Sequence, residues 1–360
     1  MTHQRRAQKI VDRALAGLRL SQAEITVLLS IDEADDARQL FAAARELRDR
    51  HFGDRLFLYG FVYFSTWCRN DCTFCLYRRG NGESPRYRKT PDEVVAIAGS
   101  LAEAGVHLID LTMGEDPVVF DGGDFGLVVD LVAAVAEATG LPVMISPGVV
   151  PDTVLADLRA AGADWYALYQ ETYAEPLYSR LRMGQSFAER RATRRAAAAA
   201  GLLVEDGLLL GAGDSVADRA LSVSAMSEAG AQQVRAMTFI PQRGTPLADH
   251  PPVSTFDELL TIAAMRLSMP ARLIPASLDV DGIEGLVPRL EAGANVVTSI
   301  VPPATGLAGV GQAELDIEDG LRTVAEVRLR AAELGLRPAV ADEYAAWVGR
   351  AHGLAPPSPA

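Results

Sequence analysis

Three cysteines, Cys68, Cys72 and Cys75, stand in a C-x3-C-x2-C run and are the only cysteines among 360 residues. Three soft thiolates this close together suit an iron–sulfur cluster or zinc. A [4Fe–4S] cluster held wholly by protein takes four cysteines, so a cluster held here keeps one iron open. A closed structural zinc site also takes four ligands, usually as two separated pairs, and the five histidines are scattered at positions 3, 51, 107, 250 and 352. Free cysteine can also pack as a small hydrophobe. Confinement of all three to an eight-residue window (68–75) argues against packing alone.

The rest of the chain must position that loop. Hydrophobic residues make up 49% and charged residues 22%, ordinary values for a soluble globular protein. Net charge is 34 − 47 = −13, which argues against a nucleic-acid partner, since that calls for a basic face. No apolar run reaches the length of a membrane span. The first residues, MTHQRRAQKIVDRAL, carry charge without a following apolar stretch, so no signal peptide is expected. Three cysteines make no disulfide framework in a chain this long. These features together suggest a reduced, cytoplasmic enzyme.

Residues 55–63 read as the first strand, and the cysteine loop follows directly. Thr90-Pro91-Asp92-Glu93 is a capping box with proline at the first helical position, opening a helix through Ala104. Further strands are expected at 106–111, 142–146, 165–170, 203–211, 233–240, 272–278 and 295–301. Helical stretches at 125–138, 152–161, 187–200, 217–229, 256–267 and 281–292 separate them. Strands alternating with helices imply a parallel sheet, and eight such units imply an α/β fold of the closed (β/α)8 TIM type. Residues 1–52 form an N-terminal helical extension, with Ala14, Leu18 and Leu20, then Ile25, Leu28 and Leu29, then Leu40, Phe41, Ala44 and Leu47 at helical intervals. It should pack outside the barrel, which occupies 53–340. Helices at 312–334 and 342–348 are expected to close the fold, and 341–360 reads as a C-terminal helix and loose tail.

The active site of such a barrel lies at the carboxyl ends of its strands, and polar residues gather there. Asp110 and Met113-Gly114-Glu115-Asp116 follow the second strand, Ser146 ends the third, and Gln170 and Glu171 end the fourth. Glu205 and Asp206 lie in the fifth, Arg235 in the sixth, Ser277 and Asp279 at the seventh, and Thr298 and Ser299 in the eighth. A charge inside a barrel is costly unless it is paired or meets a ligand. The plain alternative for each is a buried ion pair, such as Arg235 with Asp279. Gathered on one rim, they point to a ligand pocket. Trp165 and Trp347 read as packing residues.

The cysteine spacing, followed by the aromatic Tyr77, resembles the signature of the radical S-adenosylmethionine superfamily. The segments VYFSTWCRNDCTFC, HLIDLTMGEDP, MISPG, ALYQETY, LRMGQSF, VEDG, VRAMTFIPQRGTPL, LIPASLDVDGI and LEAGANVVTSIVPP are similar, in order, to the methylornithine synthase family of the pyrrolysine pathway. Trp67 stands where that family's pattern has tyrosine. The resemblance covers roughly residues 20–340. It implies a (β/α)8 barrel that isomerises L-lysine to (3R)-3-methyl-D-ornithine. A deoxyadenosyl radical would take a hydrogen from C4, the C2–C3 bond would break, and the fragments would rejoin at C4. It further implies a [4Fe–4S] cluster on Cys68, Cys72 and Cys75. S-adenosylmethionine would be held by Tyr77, Glu115, Ser146, Glu171 and Arg190, and the amino acid by Asp110, Arg235, Ser277 and Asp279. An electron donor such as flavodoxin or ferredoxin is implied as partner.

Two rival readings remain at this level. One is a biotin-synthase-like or hydrogenase-maturase-like enzyme acting on another small amino-acid-like substrate. Biotin synthase needs a second cluster with its own cysteines, and none remain in this chain. The other is a cluster-carrying scaffold without radical turnover, which cleavage of S-adenosylmethionine by the reduced protein would exclude.

Overall fold

The computed structural model describes residues 3–309 and 321–353. Eight parallel strands form the barrel: β1 (Arg55–Ser65), β2 (Leu108–Met113), β3 (Val143–Ser146), β4 (Ala163–Ala167), β5 (Leu203–Leu210), β6 (Gln233–Thr238), β7 (Pro275–Ser277) and β8 (Val296–Ile300). Their order is β6-β5-β4-β3-β2-β1-β8-β7. The seam between β6 and β7 is stitched low down. There Val234 N–H donates to Leu273 O at 3.0 Å, and Leu273 N–H donates to Gln232 O at 3.1 Å. A two-residue strand, β9 (Arg337–Pro338), pairs with the start of β1.

Local signals explain most boundaries. Thr90 caps the helix Pro91–Ala104 with both halves of the capping box formed, and Gly105 ends it in a left-handed turn. Ser186 caps the helix Phe187–Ala199 through Glu189 N–H, without the return bond. β1 is buried along almost its whole length, as a strand with barrel interior on one side and helices on the other must be.

Several boundaries differ from the expectation. β4 ends at Ala167, so Gln170 and Glu171 stand in the loop beyond it. β7 keeps only three residues, which puts Asp279 past its end. The stretch expected as one helix at 281–292 begins as a 3-10 turn, Gly282–Gly285, and turns α-helical at Leu286–Glu291. The N-terminal extension is three helices, His3–Leu15, Gln22–Leu29 and Ala34–Phe52, with Leu18 and Leu20 in the loop between the first two. Ser21 fixes that break by capping the second helix. Residues 312–320 of the expected closing helix and 354–360 of the tail lie outside the described residues, and a helix runs over Val324–Glu333.

The N-terminal helices pack on the helices Val216–Ala229 and Thr255–Ser268. One continuous core joins them to the barrel and to the last helix, Ala341–Ala351. That last helix plugs the amino-terminal end of the barrel. Its Tyr344 hydroxyl meets Tyr59 Oη at 2.8 Å, and Trp347 stacks on Trp165 with centroids 5.8 Å apart. His107 completes the plug, accepting Leu58 N–H on Nδ1 and donating from Nε2 to Ala339 O, both at 2.8 Å. Among the described residues no helix is long and apolar enough to cross a membrane.

Candidate active site

The cysteine loop leaves β1 at the carboxyl end of the barrel and is pinned from several sides. Ser65 and Arg88 converge on Asp116 of β2's loop, with Arg88 bidentate at 2.6 and 2.8 Å. Arg86 donates to the carbonyls of Thr66, Tyr77, Arg78 and Asn81, so one guanidinium gathers the two ends of the loop. Gly114 lets β2's loop pass beneath: a Cβ there would run into the Trp67 carbonyl and Cys68 Cβ. Trp67 itself is a half-covered platform under the guanidiniums of Arg86 and Arg88.

Below the loop lies a cavity of about 230 Å³, lined by all three cysteines, Tyr77, Glu115, Ser146, Glu171, Arg190, Ser277 and Asp279. Cys72 is buried and receives Gln185 Nε2 at 3.0 Å and Arg182 Nη1 at 3.6 Å. Arg182 pairs in turn with Glu171. Glu171 is a non-glycine residue at φ +66°, and its buried Oε2 has no partner among the described residues. Strain and an unsatisfied acceptor of this kind belong at sites where a ligand completes the set. Glu115 accepts from Arg69 Nε at 3.0 Å and Val149 N at 3.2 Å. Arg190 donates to Tyr169 O at 2.6 Å, and burial, then the nearby Arg182, bring its pKa down to about 10. Tyr77 uses its hydroxyl on Ala308 O, so its place on the cavity wall is structural as well.

A second polar group forms the floor. Arg235 pairs with Glu205 at 2.9 Å, and Tyr169 Oη donates to the same carboxylate at 3.0 Å. Asp110 is fully buried; its Oδ1 accepts from Thr112 at 3.0 Å and Ser146 at 3.3 Å, while Oδ2 has no partner among the described residues. Burial, then the charge of Glu205, pushes the Asp110 carboxyl up to about 7. Asp279 accepts from Tyr63 at 2.9 Å, Ser299 at 2.7 Å and Arg322 at 3.0 Å. Burial works against its charge, but Arg322 first and then the Ser299 and Tyr63 hydroxyls hold it below the ordinary carboxylate value.

The residues expected at the rim thus sort into groups. Ser277 and Asp279 face the cavity, while Asp110 and Arg235 lie in the layer beneath it. An Arg235–Asp279 pair does not form: Arg235 takes Glu205 and Asp279 takes Arg322. Asp206 is a structural anchor, bound by Tyr173 Oη at 2.6 Å and Gln170 N at 2.9 Å. Arg182, Arg86, Tyr63 and Arg322 were not singled out in the sequence, although Arg182 sits inside the LRMGQSF segment.

The donor set fits a cluster better than a single ion. Three sulfurs line one cavity, N–H donors aim at one of them, and among the described residues no three His, Cys, Asp or Glu side chains converge as ligands of one metal ion. Glu171 Oε2 and Arg182 Nε, both buried beside Cys72 and unpartnered among the described residues, fit a polar cofactor next to that cluster.

A parallel barrel whose first strand feeds a three-cysteine loop over a cavity that also bears Glu115, Glu171 and Arg190 defines a radical S-adenosylmethionine enzyme, and residues 62–224 match the model of the Radical SAM superfamily. Enzymes of this class work with a [4Fe–4S] cluster and S-adenosylmethionine. The chain is 45% identical to 3-methylornithine synthase of Methanosarcina barkeri over 94% of its own length and 96% of that protein. A crystal structure of methylornithine synthase superposes with a TM-score of 0.89 at 44% identity, covering 94% of this chain and 99% of the other. The hydrogenase maturase subunit HydE of Thermotoga maritima is more distant, 30% identical over 75% of this chain and 77% of its own. The chain belongs to the 3-methylornithine synthase family, radical S-adenosylmethionine isomerases of the TIM-barrel type.

Proposed function

We propose that the chain isomerises L-lysine to (3R)-3-methyl-D-ornithine for pyrrolysine biosynthesis, splitting the lysine skeleton and rejoining its pieces inside the cavity. When bound, the cluster on Cys68, Cys72 and Cys75 and the adjacent S-adenosylmethionine supply a deoxyadenosyl radical able to take a hydrogen from the substrate. Glu115, Glu171 and Arg190 are read as the cofactor's polar contacts, with Tyr77 and Ser146 on the wall beside them. Arg182 orients Glu171 and shields Cys72. A donor such as flavodoxin or ferredoxin in the cytoplasm would reduce the cluster.

Lysine brings one carboxylate and two ammonium groups. The observation that carries its assignment is a pair of buried atoms, unpartnered among the described residues, just beneath the cavity: Asp110 Oδ2, beside the lining residues Thr112 and Ser146, and Arg235 Nη2, beside Tyr169. Leaving such groups unpaired costs at least about 1–3 kcal/mol each, and an amino acid with a carboxylate and a distant ammonium would satisfy both. Arg235 suits the carboxylate because its planar donors are fixed by Glu205 on the other edge. Ser277 adds a neutral hydrogen bond, and Asp279 offers a second anionic group. Holding both ends keeps the pieces in register while the bond between them is broken.

The test is anaerobic assay of reconstituted protein with lysine, with product read by mass spectrometry. Arg235→Lys and Asp279→Asn should each abolish methylornithine while slow cleavage of S-adenosylmethionine continues. Wild-type product rates in either variant reject the clamp, and failure of the unaltered protein to convert lysine rejects the substrate.

A further inference from the structure

Asp279 is held by more than the residues that read as the clamp. Its Oδ1 accepts from Tyr63 Oη at 2.9 Å and Arg322 Nη2 at 3.0 Å, and its Oδ2 from Ser299 Oγ at 2.7 Å and Ser277 Oγ at 3.3 Å. Arg322 is 1% exposed and also donates from Nε to Ser299 O at 2.8 Å. Its own carbonyl accepts Val301 N–H at 3.1 Å. One buried side chain therefore ties the end of β7 to the end of β8, where Ser299 sits at φ +64°. Among the described residues it is the basic group that makes an ion pair with Asp279.

We propose that Arg322 is a positioning residue that keeps Asp279 ionised and aimed, so that the cavity selects an amino acid carrying one net positive charge. This rests on the reading of Asp279 as part of the lysine clamp. Glu205 and Asp279 face Arg235 and Arg322 on the floor, and Asp110 adds its negative charge as pH rises past about 7, giving a balance of 2 − 3 = −1 above that pH. Lysine, with two ammonium groups and one carboxylate, supplies 2 − 1 = +1. Removing Arg322 would leave Asp279 without its ion-pair partner in a largely buried site, and a carboxylate there is pushed toward taking a proton. Besides Arg322, the titratable groups facing Asp279 are Tyr63 of β1, Tyr77 of the cysteine loop and Arg235 of β6. The phenols stay neutral, and Arg235 is committed to Glu205. A protonated Asp279 no longer attracts an ammonium group, so the loss should appear in substrate affinity before the rate of the bound complex.

The experiment compares Arg322→Met, which keeps bulk without charge, and Arg322→Lys, which keeps the charge, in reconstituted holoenzyme. Arg322→Met should raise the KM for lysine roughly tenfold or more at pH 7, with a smaller change in kcat, and recover part of it at pH 8.5. Arg322→Lys should restore most of the affinity. Infrared spectra of the substrate-free protein should show, beside the Asp110 band common to all variants, a further protonated carboxyl band near neutral pH in Arg322→Met that is absent from wild type and from Arg322→Met with Asp279→Asn. An unchanged KM, or no such band in folded Arg322→Met, overturns the proposal. The infrared measurement needs no substrate, so it decides Arg322 even if wild-type protein fails to convert lysine, which would overturn the substrate reading instead. Should Arg322→Met not fold, Arg322→Lys carries the test: its carboxyl band and its KM against wild type must move together or the proposal falls.

Discussion

At the amino-terminal end of the barrel, Phe57, Tyr59, His107, Trp165, Tyr344 and Trp347 close the strands with rings, and both nitrogens of His107 and both tyrosine hydroxyls find partners. Toward the carboxyl-terminal end stand Asp110, Glu205 and Arg235 inside the strands and Glu171 and Asp279 just beyond them, and among the described residues buried atoms of Asp110, Glu171, Arg182, Arg235 and Arg322 have no partner. Two residues there, Glu171 and Ser299, hold positive φ without being glycine. The base gains stability from packing, while the mouth gives some of it up to keep charges ready for a ligand. The base has unmet atoms too, Trp165 Nε1 and the side-chain amide of Gln233 among them, but those are neutral; the unmet charged groups named above stand at the mouth, where a ligand can complete them.

That contrast can be broken at its strongest point first. Cys72→Ala should lose the iron and sulfide of the reconstituted cluster, about four of each per chain, and with them all turnover. Its melting temperature without cluster should stay close to that of metal-free wild type, because Cys72 belongs to the mouth. Iron retained at wild-type stoichiometry would mean the loop is not the cluster site.

Tyr344→Ala should act the other way. Truncating a buried aromatic at the base should cost about 3–5 kcal/mol of stability in a denaturant titration. Cofactor affinity of the folded fraction should stay unchanged, and a shift in that affinity would show that the two ends are coupled.

The smallest expected effect sharpens the mouth itself. Asp110 is pushed up to about 7 by burial and then by Glu205, so it carries a proton below that pH and cannot accept an ammonium group. Lysine affinity should therefore fall by about tenfold per unit as pH drops below about 7, and level off above it. Asp110→Asn should flatten that profile while weakening binding throughout. Burial lowers His107 at the base from its ordinary value. A wild-type affinity independent of pH from 5.5 to 8 would remove Asp110 from the ammonium site.

Much of this was legible in the chain itself. The cysteine spacing, the alternation of strands with capped helices, and the collection of polar residues after the strands are local patterns, and local patterns survive without coordinates. Boundaries failed where tertiary contacts overrule local preference. β7 is cut to three residues because the chain turns at Leu278 to bring Asp279 under the hydroxyls of Tyr63 and Ser299. Leu18 and Leu20 keep helical spacing but fall in a loop, because Ser21 starts a new helix there.

The order of residues alone determined the class of chemistry, since only a soft metal centre suits three cysteines in eight positions, and it determined the barrel, since eight alternating units have few other ways to bury their strands. Which charge meets which was decided only by the fold. Arg235 with Glu205, Arg322 with Asp279, Arg182 with Glu171 and Arg86 across the cysteine loop join residues separated by 30, 43, 11 and up to 20 positions. A guanidinium reaches any carboxylate that the backbone brings within about 3 Å, and no periodicity in a sequence records that distance.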